Sequence, residues 1–484
     1  MFAFDNSYAR LPERFYVRTK PTPVEKPRII KVNEGLAATL RLPIEKLTAE
    51  VLSGNTILEG SDPIALAYAG HQFGGFVPQL GDGRAILLGE IVGTDDKRRD
   101  VQLKGSGRTR FSRGGDGRAA VGPVLREYLV SEAMHALGVP TTRALAAVTT
   151  GEPVYRENVL PGAIVTRVAA SHIRVGTFQF FAAREDREGL EKLTSYALER
   201  HYPERARETN GNRALALLES VIDAQANLVA RWMGVGFVHG VMNTDNTAIS
   251  GETIDYGPCA FMEAFDPNTK FSSIDRGGRY RFGMQPRIAQ WNVARLAEAI
   301  LPLISEEEEE AIRIATERLD GFADRFGKAY LAVLRSKLGL ARDDPKDDEE
   351  DRALADDLFE RMRSNHVDYT SFFRALGDAP ENAAKHWDEP GAFHDWAARW
   401  QKRAASEDVS PEARKASMNR ANPAFIPRNH KVEEMISAAE NDDFAPFERM
   451  LAVVTRPYDA QPESAEYAEP AAREAQPYVT FCGT

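Results

Sequence analysis

Cysteine is scarce in this sequence, which contains only Cys259 and Cys482 among its 484 residues. Two thiols cannot form the framework of a disulfide-rich secreted domain, and their scarcity suits a reducing compartment. A run of about 18 uninterrupted apolar residues, as a membrane-spanning helix requires, is also missing. The opening residues MFAFDNSYARLPERFY lack the basic and then apolar layout of a secretion signal. These absences predict a cytoplasmic protein without a membrane segment.

An excess of positive charge is missing as well. The 61 Lys and Arg residues are outnumbered by 72 Asp and Glu residues, so the formal net charge is −11. This balance argues against nucleic acid as the partner. The contents of hydrophobic residues (43%) and charged residues (27%) are those of an ordinary globular protein. The length is sufficient for about three domains.

Strand-like and helix-like patterns are distributed unevenly, which divides the chain into four regions. Residues 1–60 form an N-terminal extension, because the proline-rich segment TKPTPVEKP cannot continue as a helix. Residues 61–175 alternate short strands with one amphipathic helix and make a small α+β unit. Residues 176–300 are mainly helical, and residues 301–484 are a helical C-terminal region with a loosely ordered tail. Ser305 and Glu308 have the spacing of a capping box at a helix start.

The segment HGVMNTDNTAISGETIDYGP, residues 239–258, follows the order of two protein-kinase motifs. Kinases carry H-R-D-L-x-x-x-N and then D-F-G. His239 aligns with the first position, Asn246 with the Asn, and Asp255 with the Asp of D-F-G. The position of the kinase catalytic Asp is occupied by Val241. The segment therefore predicts nucleotide and metal binding without the usual kinase base.

Asn246 and Asp255 are the candidate metal ligands. An amide oxygen and a carboxylate are hard ligands that suit Mg²⁺, which also keeps waters and phosphate oxygens. The kinase Asn and D-F-G Asp hold Mg²⁺ against nucleotide phosphates in this way. We expect the intervening residues TAISGETI to form a two-strand turn.

Lys104 is the candidate phosphate-binding lysine. It ends a predicted strand, VQLK, and Glu127 follows in the next helix, where kinases place the carboxylate that orients this lysine. Gly81 and Gly83, in LGDGRA, precede Lys104 as the kinase glycine-rich loop does. Their backbone N–H groups can approach an anion closely.

Basic residues are concentrated around Lys104 in KGSGRTRFSRGGDGRA and again in VTRVAASHIRVG. Arginine pairs with phosphate through two parallel hydrogen bonds, so this density predicts a deep polyphosphate site. Charge alone does not select which of the arginines bind. The candidates are Arg108, Arg110, Arg113, Arg118, Arg167 and Arg174, with Asp116 as the single acid among the first four.

Without an Asp at Val241, the nearest candidate base is Asp245. If arginines bind the triphosphate tail deeply, the α-phosphorus of ATP would face outward, and AMP rather than phosphate would be transferred. Two alternatives remain open: a kinase that transfers the γ-phosphoryl group, and an inert nucleotide-binding scaffold.

At this point a family resemblance appears. The segments FDNSYARLP, YAGHQFG, QLGDGRAILLGE, QLKGSGRTRFSRGGDGRA, HGVMNTDNT, TIDYGP and NPAFIPRNH together resemble the selenoprotein O family of protein adenylyltransferases. The resemblance runs from Phe4 to the C-terminal FCGT. It implies a kinase-like two-lobed fold with a small mixed α/β N-lobe and a mainly helical C-lobe. It also implies ATP bound in a flipped orientation and AMP transfer to Ser, Thr or Tyr hydroxyls of proteins, with UMP transfer in some members.

The resemblance assigns roles residue by residue. It implies Asp245 as base, Glu127 as the residue that orients Lys104, and Asn246 and Asp255 as ligands of Mg²⁺, with Mn²⁺ as a possible replacement. The nucleotide-binding set that it implies comprises Gly81, Gly83, Arg84, Lys104, Asp116, Gly117, Arg167 and Arg174.

The resemblance also concerns the two thiols. Some bacterial relatives pair the C-terminal cysteine with a second cysteine downstream of D-Y-G. The corresponding segment here, KFSSID, has no cysteine. We therefore expect Cys259 and Cys482 to remain free thiols.

Overall fold

The computed structural model describes residues 3–208, 211–472 and 478–480, which form a mixed α/β structure with one large antiparallel sheet. The strands are β1 (Tyr16–Arg18), β2 (Arg28–Val32), β3 (Ile64–Leu66), β4 (Gly70–Gln72), β5 (Gly75–Val77), β6 (Ala85–Val92), β7 (Arg98–Lys104), β8 (Ala119–Ala120), β9 (Arg143–Tyr155), β10 (Val159–Ala169), β11 (Phe237–Val238) and β12 (Ala260–Phe261).

The helices follow the same chain order. They are α1 (Glu34–Thr39), α2 (Ala49–Ser53), α3 (Val121–Ala136), α4 (Val175–Ala182), α5 (Arg187–His201), α6 (Pro203–Glu208), α7 (Arg213–Gly234), α8 (Gln285–Ile304), α9 (Glu308–Asp320), α10 (Phe322–Leu338), α11 (Asp348–Ser364), α12 (Tyr369–Asp378), α13 (Pro380–Ala384), α14 (Pro390–Ala405), α15 (Pro411–Ala421), α16 (Asn429–Glu440) and α17 (Ala445–Val454).

The large sheet has the strand order β1-β3-β6-β7-β10-β9-β2, with β8 paired to β10. Its edge strands β1 and β2 come from the N-terminal 60 residues. Lys104 ends the central strand β7, where it lies opposite Ala85 of β6 and Val165 of β10. Because β7 is hydrogen-bonded on both sides, the position of this lysine is set by two neighbouring strands.

Helix α3 connects the sheet to the C-terminal part of the chain. Its apolar residues pack on β9 and β10, and α16 and α17 pack against it from elsewhere on its surface. Tyr128 of α3 and Phe447 of α17 meet edge to face with ring centroids 5.5 Å apart. Glu127 is therefore carried by a helix that two layers hold in place.

The capping box predicted at Ser305 and Glu308 is wrong. The hydroxyl of Ser305 accepts a hydrogen bond from the backbone N–H of Glu307, at 3.1 Å, and α9 begins one residue later. The helical run that follows is interrupted at Gly321, which separates α9 from α10. Ser305 still supplies a hydrogen-bond acceptor before the helix, because a Ser hydroxyl can cap several early N–H groups.

Candidate active site

The loop that follows α7 is held in shape by a buried histidine. His239 is fully buried, and its Nε2–H donates to the carbonyl of Ile254 at 3.0 Å. Its Nδ1 accepts from the backbone N–H of Val241 at 3.3 Å. Burial lowers the pKa of His239, so the neutral ring that makes both bonds is the stable form. The ring thus joins the start of the loop to the residue before Asp255.

Residues 247–254 do not pair with each other, so the predicted two-strand turn is wrong. Ala248 makes an antiparallel bridge with Arg174, and Thr253 makes a parallel bridge with Thr141. Each arm of the loop pairs with a segment distant in sequence because those segments offer unpaired backbone groups at the sheet's end. This pairing places Arg174, at the start of α4, next to the loop that carries Asp245.

Lys104, Glu127 and Arg167 form a buried charged group, as the order of the first two predicted. The Lys104 ammonium pairs with Oε2 of Glu127, and a terminal nitrogen of Arg167 lies 3.3 Å from Oε1 of the same carboxylate. Burial opposes ionisation of Glu127, but the charges of Lys104 and Arg167 hold the pKa of this carboxyl below its ordinary value. Lys104 also lies 3.8 Å from Oδ1 of Asp255.

A second buried pair, Arg174 and Asp82, continues this network. A terminal nitrogen of Arg174 lies 3.4 Å from Oδ1 of Asp82, and its guanidinium carbon lies 4.3 Å from the ring centroid of Tyr68. Gln102 connects the two pairs, because its amide donates to Asp82 at 3.1 Å and accepts from Arg167 at 2.5 Å. Nε of Arg174 has no hydrogen-bond partner among the described residues. The site therefore holds a buried donor that an anion could satisfy.

Burial separates the candidate arginines into two groups, which charge alone did not do. Arg167 and Arg174 are 4% exposed, whereas Arg108, Arg110 and Arg113 lie on the exposed part of their loop. A phosphate bound by buried guanidinium groups is desolvated and interacts strongly. Asp82 and Gln102 were not predicted from the sequence. The only sequence feature that could have indicated them is position, since Asp82 lies within LGDGR and Gln102 lies two residues before Lys104.

The glycines of LGDGR permit close packing. Gly81 has φ of +80°, and a Cβ on it would lie 2.3 Å from Cγ of Phe111. A Cβ on Gly83 would lie 2.9 Å from the carbonyl oxygen of Phe111. The loop after β7 therefore folds directly onto this segment. Arg84 follows, and its charge is one of those that act on Asp255.

Asp116 and Gly117 lie at the base of the same loop. Asp116 forms an ion pair with Arg156 at 2.8 Å and accepts from the backbone N–H of Arg118. Gly117 has φ of +69°, and a Cβ there would lie 2.1 Å from the carbonyl oxygen of Gly107. The structure thus places Asp116 with Arg156, which sequence analysis missed, and not with the buried arginines. These contacts fix the shape of the loop.

Asp245 is buried, and its two oxygens have different surroundings. Oδ2 accepts from the side-chain amide of Gln72 at 3.2 Å, whereas Oδ1 has no hydrogen-bond partner among the described residues. Burial raises the pKa of Asp245 to about 6. Such a carboxylate is ionised at neutral pH and retains an unsatisfied oxygen that can accept a proton.

Asn246 and Asp255 have the chemistry of a divalent-cation site. The Asn246 amide nitrogen donates to the carbonyl of Val241 at 3.2 Å, which leaves its oxygen for another partner. Burial opposes ionisation of Asp255, but the nearby Lys104 and Arg84 charges hold its pKa well below the usual range. No cluster of three or more His, Cys, Asp or Glu side chains suited to a metal occurs in the described ranges. One amide and one carboxylate fit an ion that takes its other ligands from phosphate and water.

The Lys104–Glu127–Arg167 group gives a stability prediction. Glu127→Gln should lower the free energy of unfolding by about 3 kcal/mol, because the buried Arg167 and the partly buried Lys104 lose their shared carboxylate. The double variant Lys104→Met/Glu127→Gln should lose less unfolding free energy than the two single variants lose in total, because the two changes remove the same interaction. Urea denaturation of the parent, the two single variants and the double variant gives the four unfolding free energies that this comparison needs. Additive losses would show that the ion pair has no energetic coupling.

Glu252, in the same loop as Asp255, gives a pH prediction. Its carboxylate accepts from the backbone N–H of Ala170 at 2.9 Å, and burial raises the pKa of Glu252 to about 7. The folded state therefore binds a proton on the Glu252 carboxyl more tightly than the unfolded state does. The contribution of Glu252 to the free energy of unfolding is full below about pH 4.5 and is lost as the pH rises through 7. Glu252→Gln should be more stable than the parent by up to about 3 kcal/mol at pH 8 and nearly equal to it at pH 4.5. A pH-independent difference in urea midpoint would contradict this.

This site combines three features: a lysine–glutamate ion pair, buried arginines and an Asn/Asp pair. The combination is typical of an enzyme that transfers part of a nucleoside triphosphate. The chain belongs to the protein adenylyltransferase SelO family, whose sequence model matches residues 1–455. It is 59% identical to a protein nucleotidyltransferase YdiU of Methylorubrum populi and 60% identical to one of Methylorubrum extorquens. Both alignments cover 100% of this chain and 99% of the relative.

A third relative of the same name, from Rhodopseudomonas palustris, is 56% identical over 100% of this chain and 99% of its own length. Such coverage shows that this chain and its relatives share their whole length. In the part of the chain that the structure describes, no helix combines the length and apolar character needed to cross a membrane.

Proposed function

We propose that this chain transfers AMP from ATP to Ser, Thr or Tyr hydroxyls of proteins and releases pyrophosphate. Membership of the adenylyltransferase family supports the class of reaction, with ATP as substrate and a divalent cation as cofactor. The site residues support the particular mechanism. We interpret residues 61–175 as a kinase-like N-lobe and residues 176–300 as a C-lobe, with residues 1–60 and 301–484 as additions to this two-lobed fold.

The observation that carries this proposal is the burial of Arg167 and Arg174 in one network with Lys104. These three cations would hold the triphosphate tail deep in the site, where low polarity strengthens ionic contacts. Arg174 reaches the network from the segment that pairs with the Asp245 loop. The α-phosphorus would then face Asp245, and the tail would be the leaving group.

The residues of this chain would accept a proton from the acceptor hydroxyl and would position the phosphates of ATP. Asp245 accepts the proton of the acceptor hydroxyl, whose oxygen forms a bond to the α-phosphorus as the bond to pyrophosphate breaks. Gln72 holds one oxygen of Asp245 and leaves the other for the proton. Glu127 orients Lys104 toward the phosphates. Lys104 and the arginines balance the charge of the departing pyrophosphate.

Asn246 and Asp255 would hold the divalent cation, which we propose is Mg²⁺, with Mn²⁺ as a substitute. The ion would reduce the negative charge of the phosphate groups. The glycines Gly81 and Gly83, with Arg84, would line the nucleotide, and Asp116 and Gly117 would shape the loop that borders it.

Labelled ATP tests this function. The chain is incubated with a protein acceptor and ATP labelled at either the α- or the γ-phosphate, and UTP labelled at the α-phosphate is run in parallel for UMP transfer. Protein that retains label only from the α-phosphate, with a mass increase of one nucleotide, is the expected result. Label retained only from the γ-phosphate would show a kinase, and no label from either would show a scaffold.

A further inference from the structure

A short hairpin, β4–β5, lies directly on the loop that carries Asp245. The backbone N–H of His71 donates to the hydroxyl of Thr244 at 2.7 Å, and the backbone N–H of Phe73 donates to Oδ1 of Asn243 at 3.0 Å. Together with the bond from Gln72 to Asp245, these contacts fix three successive hairpin residues to three successive loop residues. The hairpin tip is therefore adjacent to the proposed base.

The hairpin tip has an unusual residue in a strained conformation. Phe73 and Gly74 connect the strands, with φ of +52° and +90°. Two-residue hairpins with positive φ at both positions strongly favour Asn-Gly, and a bulky residue there is a genuine outlier. Such strain costs about 1–3 kcal/mol and is concentrated at functional sites. The aromatic ring at this tip therefore comes with a conformational cost.

The tip presents aromatic groups to solvent. Phe73 is 37% exposed and Phe76 is 42% exposed, which is uncommon for residues of this size. The Phe73 ring lies 5.1 Å from that of Tyr280, whose hydroxyl donates to Asn243 at 2.6 Å. These rings form an apolar surface, here called the aromatic ledge, beside the loop that carries Asp245.

The adjoining segment, residues 264–287, is basic. It contains Lys270, Arg276, Arg279, Arg281 and Arg287 but only Asp266 and Asp275, which gives a local charge of +3 (5 − 2) in a chain of −11.

None of these five cations has a carboxylate oxygen within 4.0 Å among the described residues. Asp275 is instead occupied by the backbone N–H groups of Arg279 and Tyr280, at 2.8 Å each. Arg276 and Arg287 are exposed, and the guanidinium of Arg279 lies 4.7 Å from the Trp291 ring centroid, next to Gly74. This segment therefore has positive charge available for an external carboxylate.

We propose that Phe73, Phe76, Arg276, Arg279 and Arg287, here named the acceptor-docking surface, bind an acidic polypeptide segment of the substrate protein and present its hydroxyl to Asp245. This proposal rests on the proposed function, since it requires a protein acceptor. The aromatic ledge contacts the apolar part of the acceptor side chain or its neighbour, and the arginines bind flanking carboxylates. The enzyme's overall negative charge repels acidic proteins elsewhere, so this surface would select both the site and the orientation of approach.

Synthetic copolymers test the charge preference. The full-length chain is given Mg²⁺ and ATP labelled at the α-phosphate, with a Glu/Tyr copolymer or a Lys/Tyr copolymer as acceptor. We expect label on the Glu/Tyr copolymer, at least about tenfold more than on the Lys/Tyr copolymer, with a KM that increases with salt. Equal labelling of both, or labelling of the enzyme itself but of neither copolymer, would overturn the docking proposal and leave the proposed function intact. If even self-labelling were absent, the proposed function would fail.

Two variants test the surface itself. Arg276→Glu with Arg287→Glu should raise the KM for the Glu/Tyr copolymer by about tenfold or more and change kcat by less than about threefold, because binding and not chemistry is affected. Phe73→Asn should raise the same KM and also raise the unfolding midpoint, because Asn tolerates a positive φ. Arg420→Glu, an exposed arginine on α15, is the matched control. An unchanged KM in both variants, with Mg²⁺-ATP affinity unaltered, would refute the assignment.

Discussion

Asp245→Asn is expected to reduce AMP transfer by about 10²–10⁴-fold, because the acceptor hydroxyl loses its general base. Asn has nearly the same shape as Asp and can still accept the hydrogen bond from Gln72. A neutral amide, however, is too weak a base to take the proton of the acceptor hydroxyl, which the carboxylate oxygen without a partner would accept. The measurement is the initial rate of label transfer from the α-phosphate of ATP to protein, at saturating ATP.

The affinity for Mg²⁺-ATP should change little in Asp245→Asn, because the triphosphate is proposed to bind Lys104, Arg167 and Arg174 instead. Calorimetric titration with a non-hydrolysable ATP analogue measures this. Asp320→Asn, at an exposed position of α9, is the matched control and should retain the parent rate. A rate within about threefold of the parent in Asp245→Asn would remove Asp245 from the mechanism.

Asp255→Asn is expected to abolish detectable AMP transfer for a different reason. Asp255 is the single carboxylate proposed to hold the divalent cation, and its lowered pKa keeps it charged at neutral pH. Without this charge the site would hold the cation much more weakly, because a neutral amide is a poorer ligand for a divalent ion than a carboxylate. ATP should therefore stop raising the melting temperature in a Mg²⁺-dependent manner.

Metal removal separates the two variants. The parent with excess EDTA should behave as Asp255→Asn does, and added Mg²⁺ or Mn²⁺ should restore only the parent. Asp245→Asn should keep the Mg²⁺-dependent thermal shift although its AMP transfer is strongly reduced. If Asp255→Asn retained a normal metal-dependent shift, the cation would have to bind elsewhere. The pair of results thus distinguishes loss of the base from loss of the metal.

Local sequence patterns predicted the elements near the site because hydrophobic periodicity reports burial directly. The strand that ends at Lys104 and the helix that carries Glu127 are both found in the structure. The contact of Lys104 with Glu127 was also predictable, because a strand end and the next helix of a small α+β unit have few alternative placements.

Contacts between distant segments could not be predicted in this way. The residues 247–254 pair with the segments around Thr141 and Arg174, and no local pattern shows that these backbone groups lack other partners. Asp82 and Gln72 look like ordinary turn and strand residues until the fold places them beside Arg174 and Asp245. The site roles stay predictions that the experiments above test, and the domain boundaries stay predictions as well.

The order and identity of the polar residues, from Lys104 through Asp255, already specified a nucleotide and metal chemistry without the kinase base, since residue type alone limits which groups can bind phosphate or a cation. Only the tertiary structure decided which of the cations are buried, because folding encloses Arg167 and Arg174 and leaves Arg108 and Arg113 exposed to water. Burial sets the strength of a charge and the pKa of Asp245, and burial depends on segments that are far apart in the chain.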